Sequence, residues 1–198
     1  ISANTSGAWV LNEAIELPLT GEHNRRNATL VVKAIEYLGL GKEAAAISAL
    51  GSFPGTDRRF EKLADNLYTD YGHHPKEIAA TLQLTRELSD HVVLVYQPHQ
   101  NRRQHRVKDM YVDQFEQADE VYWLPTYLSR EDADQPILSP EDLIQNITNK
   151  QHVHVAEFND TLWGIIQTAR AQGKLVLCMG AGTIDNWVRE QLEKSLSA

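Results

Sequence analysis

Apolar residues fall on one helical face over residues 27–38, where Leu30, Val31, Ala34, Ile35 and Leu38 recur at three- and four-residue spacing before Gly39 and Gly41. Residues 42–50 predict a second, short helix closed by Gly51. Upstream, residues 8–17 place Trp9, Leu11, Ile15 and Leu17 at near-alternating positions and run into Pro18, which suits an edge or final strand. After the turn-rich GSFPGTDRRF the pattern changes. Short strand-type runs occur at 66–70, 92–97, 120–124, 152–155 and 175–179. Helical stretches separate or follow them at 75–88, 140–147, 158–171 and 184–192, the first two opening on a proline suited to a first helical turn. Such alternation predicts right-handed crossovers and an α/β fold, a Rossmann-like open, mostly parallel sheet with helices on both faces. That domain spans residues 56–198. Residues 1–55 stand outside the repeat and read as the tail of a preceding domain.

Composition narrows the function. A net charge of −8 excludes a general phosphate-backbone binder, so no nucleic-acid partner is expected and any basic site must be local. No apolar run approaches the roughly 20 residues of a membrane span, and ISANTSGAW lacks the basic start and apolar stretch of a signal peptide, so no membrane partner is expected either. The single cysteine, Cys178, excludes an internal disulfide and in LVLCMG reads as a small buried hydrophobe, in keeping with a cytoplasmic location. The chain begins without methionine and is read as a piece of a longer protein.

Three polar clusters lie where open α/β sheets bind ligands, at strand ends and helix starts. In GEHNRRN (21–27), asparagine amides in a turn leading into a helix suit the edge of an adenine, with helix capping by Asn24 or Asn27 as the alternative. In TDYGHHP (69–75), an aspartate at a strand end suits a ribose hydroxyl or a metal, and His73 and His74 stand at a helix start; a turn role for Asp70 and a packing role for His74 are the alternatives. In YQPHQNRRQHR (96–106), His99, Arg102, Arg103 and Arg106 form a basic patch suited to carboxylate or phosphate, or else a solvated loop.

In this order the clusters resemble the Mur ligase family, and within it the branch that adds L-alanine to UDP-N-acetylmuramate. GEHNRRN, GTDRRFE (55–61), TDYGHHPKEIAAT (69–81), QPH (97–99) with Arg103, and MGAG (179–182) carry the resemblance, which covers nearly the whole chain. It implies that residues 1–55 are the end of a central ATP-binding domain and 56–198 the family's C-terminal domain. For ATP it implies Asn24 and Asn27 at the adenine with His23 beside them, Arg59 at the phosphates, Asp70 at the ribose and Tyr71 near the nucleotide. His73 and Arg103 match positions facing the amino acid and the muramoyl carboxylate, and act as the catalytic candidates; His99 and Arg102 join them as substrate-binding candidates. The alanine-adding branch commonly reads QPHR where this chain has Gln100, so one of two expected carboxylate-gripping arginines is absent and Arg102 is the candidate substitute.

The implied cofactors are ATP and Mg²⁺, and the implied partners UDP-N-acetylmuramate and an amino acid. The implied chemistry is phosphorylation of the muramoyl carboxylate and attack of the amine on the acyl phosphate. No GxxGK[ST] phosphate loop occurs in the 198 residues, so the metal ligands are expected upstream and the chain alone is expected to be inactive. Two alternatives remain: a ligase that recycles murein tripeptides, against which QPH counts, and a non-catalytic nucleotide-binding module. Gly180 to Gly182 reads as tight strand-to-helix packing rather than a dinucleotide turn, since the third glycine is missing. His152 and His154 share a strand face, but no third ligand stands near, so no metal site is expected there.

Overall fold

The computed structural model describes residues 15–197; the strand expected over 8–17 falls mostly outside them, and residues 15–17 are not strand. The chain divides between Gly55 and Thr56 into two compact units. The first holds helices α1 (Glu22–Tyr37) and α2 (Glu43–Gly51). Helix α1 starts at Glu22, earlier than residue 27, because Gly21 takes φ 99° to begin it. Glu22 in the first turn suits the helix dipole and pairs with Arg26 at 2.6 Å. The stretch expected as a turn is therefore helical. Neither Asn24 nor Asn27 caps α1, since the N-cap is Gly21 with no side-chain hydrogen bond.

The second unit is the expected open α/β sheet. Its strands are β1 (Glu61–Ala64), β2 (Leu67–Asp70), β3 (Val92–Tyr96), β4 (Glu120–Trp123), β5 (Val153–Val155) and β6 (Leu175–Met179), in spatial order β1-β2-β6-β3-β4-β5. All neighbours are parallel except β1 and β2. The helices are α3 (Pro75–Leu88), α4 (Asn101–Val107), α5 (Pro140–Ile144), α6 (Asp160–Ala171) and α7 (Ile184–Ser197). On one face Val92, Leu94, Tyr96, Leu175, Leu177 and Met179 pack in a core with Ile78 and Leu82 of α3 and Leu143 of α5. The intervening Val93, Val95, Val176 and Cys178 pack on the other face with Leu162 and Ile166 of α6 and Ile184 and Val188 of α7. Burial on both faces explains why the central strands read as unbroken apolar runs. Each fully buried aliphatic side chain contributes about 1.5–3 kcal/mol relative to exposure. Cys178 is fully buried, and that burial pushes its thiol up to about 12, which leaves it unreactive.

Two elements were not expected from the sequence. Strand β1 lies in a segment too polar to alternate, and exists because Glu61 and Lys62 pair across to Thr69 and Tyr68. Helix α4 covers the arginine-rich stretch whose alternative reading was a solvated loop; it buries Asn101, Gln104 and Val107. Boundaries also differ at the ends: α5 stops at Ile144, α6 begins at Asp160 behind an Asn159 cap, and α7 reaches Ser197.

Candidate functional site

The carboxyl ends of four strands are laced together by backbone bonds. Gly180 N–H donates to Asp70 O (2.9 Å), Gln97 N–H to Met179 O (2.9 Å), and Leu124 N–H to Tyr96 O (2.9 Å). Buried Gln97 then starts α7: its Oε1 accepts from Thr183 N (2.8 Å) and Ile184 N (3.1 Å), and its Nε2 donates to Thr183 Oγ1 (3.2 Å). A Cβ on Gly182 would stand 2.4 Å from Gln97 Oε1, and one on Gly180 2.6 Å from Gln97 O. The Gly180–Gly182 glycines thus serve close packing of strand end against helix start.

Asp70 ends β2, and its carboxylate organises the turn around it. Oδ1 accepts from Gly72 N (2.7 Å) and Oδ2 from Phe60 N (2.9 Å). The loop it holds is strained, with Arg58 at φ 56° and Phe60 at φ 49°, and such outliers concentrate at ligand sites. Arg58 is committed to structure: its Nε lies 3.5 Å from the buried Asp185 carboxylate and its guanidinium 4.6 Å over the Tyr71 ring. Arg189 bridges the same Asp185 (3.1 Å) to Glu61 (2.7 Å), so the buried carboxylate is compensated twice. The Arg58 N–H and the Arg189 guanidinium hold the Glu61 carboxyl below its ordinary value. Arg59 sits 5.6 Å from the Tyr71 ring, and no ion pair engages its guanidinium among the described residues.

Past Asp70, the two histidines diverge in role. His74 caps α3, its Nδ1 accepting from Lys76 N (3.3 Å). Glu77 reaches back to accept from His73 N (3.0 Å) and His74 N (3.1 Å). His73 Nδ1 lies 3.1 Å from Tyr71 O; a carbonyl only accepts, so that nitrogen carries the proton. The His73 ring meets the His99 ring edge-on at 5.7 Å, and His99 stacks on Tyr127 at 5.6 Å and 8°. Burial, with the charges of His73 and Arg103, pushes the His99 imidazole below its ordinary value.

Burial raises the Glu77 carboxyl, but the His73 and His74 N–H groups, with the charges of His73 and Arg59, outweigh it and hold the group below its ordinary 4.5. The stability Glu77 supplies is therefore complete above that value and lost as pH falls through the lower folded one. Glu77→Gln is expected to flatten the acid limb of a plot of urea midpoint against pH. An acid limb matching the parent's would rule this out.

Of the candidates, Asp70, Tyr71, His73 and His99 lie at or just past the ends of β2 and β3, Arg59 stands beside Tyr71 in the loop before β1, and Arg103 lies on α4. Arg102 is exposed, and its N–H donates to Glu131 Oε2 (3.0 Å). His23, Asn24 and Asn27 belong to the first unit, where Asn24 Nδ2 donates to Thr20 O (2.7 Å) and Asn27 is exposed. Arg58, Glu77 and Tyr127 were not singled out beforehand. The advance signal for Glu77 was its place three residues after His74 at a helix start, the spacing of a capping box. Among the described residues no three His, Cys, Asp or Glu side chains converge on a metal position, so no Mg²⁺ ligand set is assigned to them. His154 instead bonds Glu120 at 2.6 Å.

These side chains follow the carboxyl ends of parallel strands, the edge where open α/β sheets take their ligands. The family model described as Mur ligase, glutamate ligase domain, matches residues 58–182. The chain belongs to the Mur ligase family. It is 34% identical over 194 residues to UDP-N-acetylmuramate–L-alanine ligase of Cereibacter sphaeroides, covering 94% of this chain and 41% of that protein. The corresponding Jannaschia protein is 36% identical over 187 residues, covering 90% and 39%. The crystal structure of UDP-N-acetylmuramate-alanine ligase from Thermotoga maritima superposes with a TM-score of 0.65 at 26% identity, over 92% of this chain and 40% of that one. The chain thus spans about two-fifths of the length of these relatives.

Proposed function

We propose that the chain is the C-terminal part of an ATP-dependent ligase of peptidoglycan precursor synthesis, joining L-alanine to UDP-N-acetylmuramate through an acyl phosphate. The observation that carries this reading is the convergence of two kinds of site within residues 56–198. The Asp70, Tyr71 and Arg59 group suits a nucleotide: a carboxylate for ribose, an aromatic face, and an arginine with no ion pair among the described residues for phosphate. The His73, His99 and Arg103 group suits an amino acid, with Arg103 supplying charge for its carboxylate. The curated relatives named for this reaction support the choice of substrates.

In this reading ATP phosphorylates the muramoyl carboxylate, and the amine of the amino acid displaces phosphate to form the amide. Mg²⁺ supplies charge neutralisation at the phosphates when bound. The residues of this chain position and neutralise: Arg59 at the nucleotide phosphates, Asp70 at the ribose, and Arg103, His73 and His99 around the amino acid. Residues 1–55 belong in this reading to a larger central domain. Helix α2 buries none of its residues despite Ala44, Ala45, Ala46, Ile47 and Leu50, and Tyr37 and Leu38 are exposed as well.

The test is phosphate release, dependent on ATP and UDP-N-acetylmuramate, by the complete polypeptide offered L-alanine, L-serine, glycine or a murein tripeptide. L-Alanine is expected to be used best, and the 198-residue chain alone is expected to release none. Preference for the tripeptide would sink the alanine reading, and turnover by the 198-residue chain would sink the division between recognition and chemistry.

A further inference from the structure

The two imidazoles of the amino-acid group sit on different strand ends, yet one buried hydrogen-bond chain joins their backbones. Tyr96 Oη is 3.3 Å from His73 O and 3.0 Å from Tyr111 Oη; Tyr111 Oη is 2.7 Å from Gln104 Oε1; Gln104 Nε2 is 3.0 Å from His99 O. Tyr96, Gln104 and Tyr111 are all fully buried. The protons in this chain can be assigned from one end. The His99 carbonyl only accepts, so the Gln104 amide nitrogen must face it and Oε1 must face Tyr111. Tyr111 therefore donates to Gln104. That leaves one hydroxyl hydrogen, on Tyr96, shared between two acceptors, Tyr111 Oη at 3.0 Å and His73 O at 3.3 Å. Burial raises both phenols well above the ordinary range, so both keep their hydrogens.

We infer that Tyr111 is a positioning residue of the amino-acid pocket, tying His73 through Tyr96 and His99 through Gln104 so that the spacing of the two imidazoles is set from beneath. Gln104 lies on α4 directly after Arg103, so the same anchor seats the arginine. Tyr111 touches no reacting group. It also packs edge-on against Trp123 at 5.3 Å and beside Phe115, which holds its ring while the hydroxyl acts. The inference rests on the assignment of His73 and His99 to the amino-acid site.

The test compares Tyr111→Phe and Tyr96→Phe in the 198-residue chain, followed by NMR of the histidine rings. Tyr111→Phe is expected to move the ring resonances of both His73 and His99, and Tyr96→Phe those of His73 more than those of His99, whose ring meets it. Rings that stay at their parent positions in both folded variants would overturn the inference. Should Tyr111→Phe fail to fold, the His73 resonances of Tyr96→Phe decide. In the complete polypeptide, Tyr111→Phe is expected to raise KM for the amino acid several-fold with KM for ATP unchanged; equal changes in both, or none, count against it. If the parent enzyme uses no amino acid, the functional reading fails while the ring resonances still judge the coupling.

Discussion

Asp70→Ala is expected to unfasten the nucleotide side of the site and to destabilise the second unit together. The side chain is 5% exposed and holds the Phe60 and Gly72 N–H groups at 2.9 and 2.7 Å. Orphaning a buried donor costs about 1–3 kcal/mol, which applies to the buried Gly72 N–H and in smaller measure to the half-buried Phe60 N–H, and at about 2–4 °C per kcal/mol the loss is visible in a melting curve. Asp70→Asn separates the roles. Its amide keeps one acceptor oxygen and loses the charge, so it is expected to recover part of the stability while ATP binding by the complete polypeptide stays weakened. Calorimetric titration with ATP and thermal melts of both variants check this. Parent-like ATP affinity in a folded Asp70→Ala protein would remove Asp70 from the site.

Gly182→Ala is expected to have an effect of similar size by overpacking. The new Cβ would lie 2.4 Å from Gln97 Oε1 and 2.6 Å from Tyr127 Cβ. Neither neighbour can yield freely, since Gln97 Oε1 starts α7 and Tyr127 is stacked on His99. Overpacking of this kind costs about 1–3 kcal/mol or more. The displacement of Tyr127 passes to His99, so the amino-acid KM is expected to rise as well. Gly164→Ala is the matched control, because nothing lies within 4 Å of its added Cβ and a helix interior favours alanine. A Gly182→Ala protein with the parent melting temperature would show that the strand end moves more easily than its bonds imply.

The central sheet could be read from the chain because both its faces are covered. Val92 to Tyr96 and Leu175 to Met179 are continuous apolar runs, and nothing local competes with that pattern. β1 escaped because its identity lies in a partner strand: Glu61 and Lys62 carry no apolar alternation of their own. α4 escaped for a related reason, since NRRQHRV shows one buried apolar residue, and the rest of its buried face is Asn101, which bonds the distant loop at Pro136 and Leu138, and Gln104, which bonds His99 and Tyr111. At the site, the assigned residues carried motifs, whereas Arg58, Glu77 and Tyr127 act by holding others. Arg58 stood inside a quoted motif, but its pairing with Asp185, 127 positions on, is invisible without the fold. Tyr127 follows β4 outside any quoted motif, and its stacking on His99 and its backbone bonds to Pro98 and Gln100 appear only in the fold.

The place of β6 between β2 and β3 also orders events in time. Asp70 and His99 are both present in the chain by residue 99, but the strand that bridges their bases is made only at residues 175–179. Pairings across such separations form late, because loop closure must come first. Until that strand arrives, neither Asp70 O nor Gln97 N has its partner from residues 179 and 180. A growing chain therefore carries Asp70 and His99 long before residues 175–180 give their strand ends a common frame.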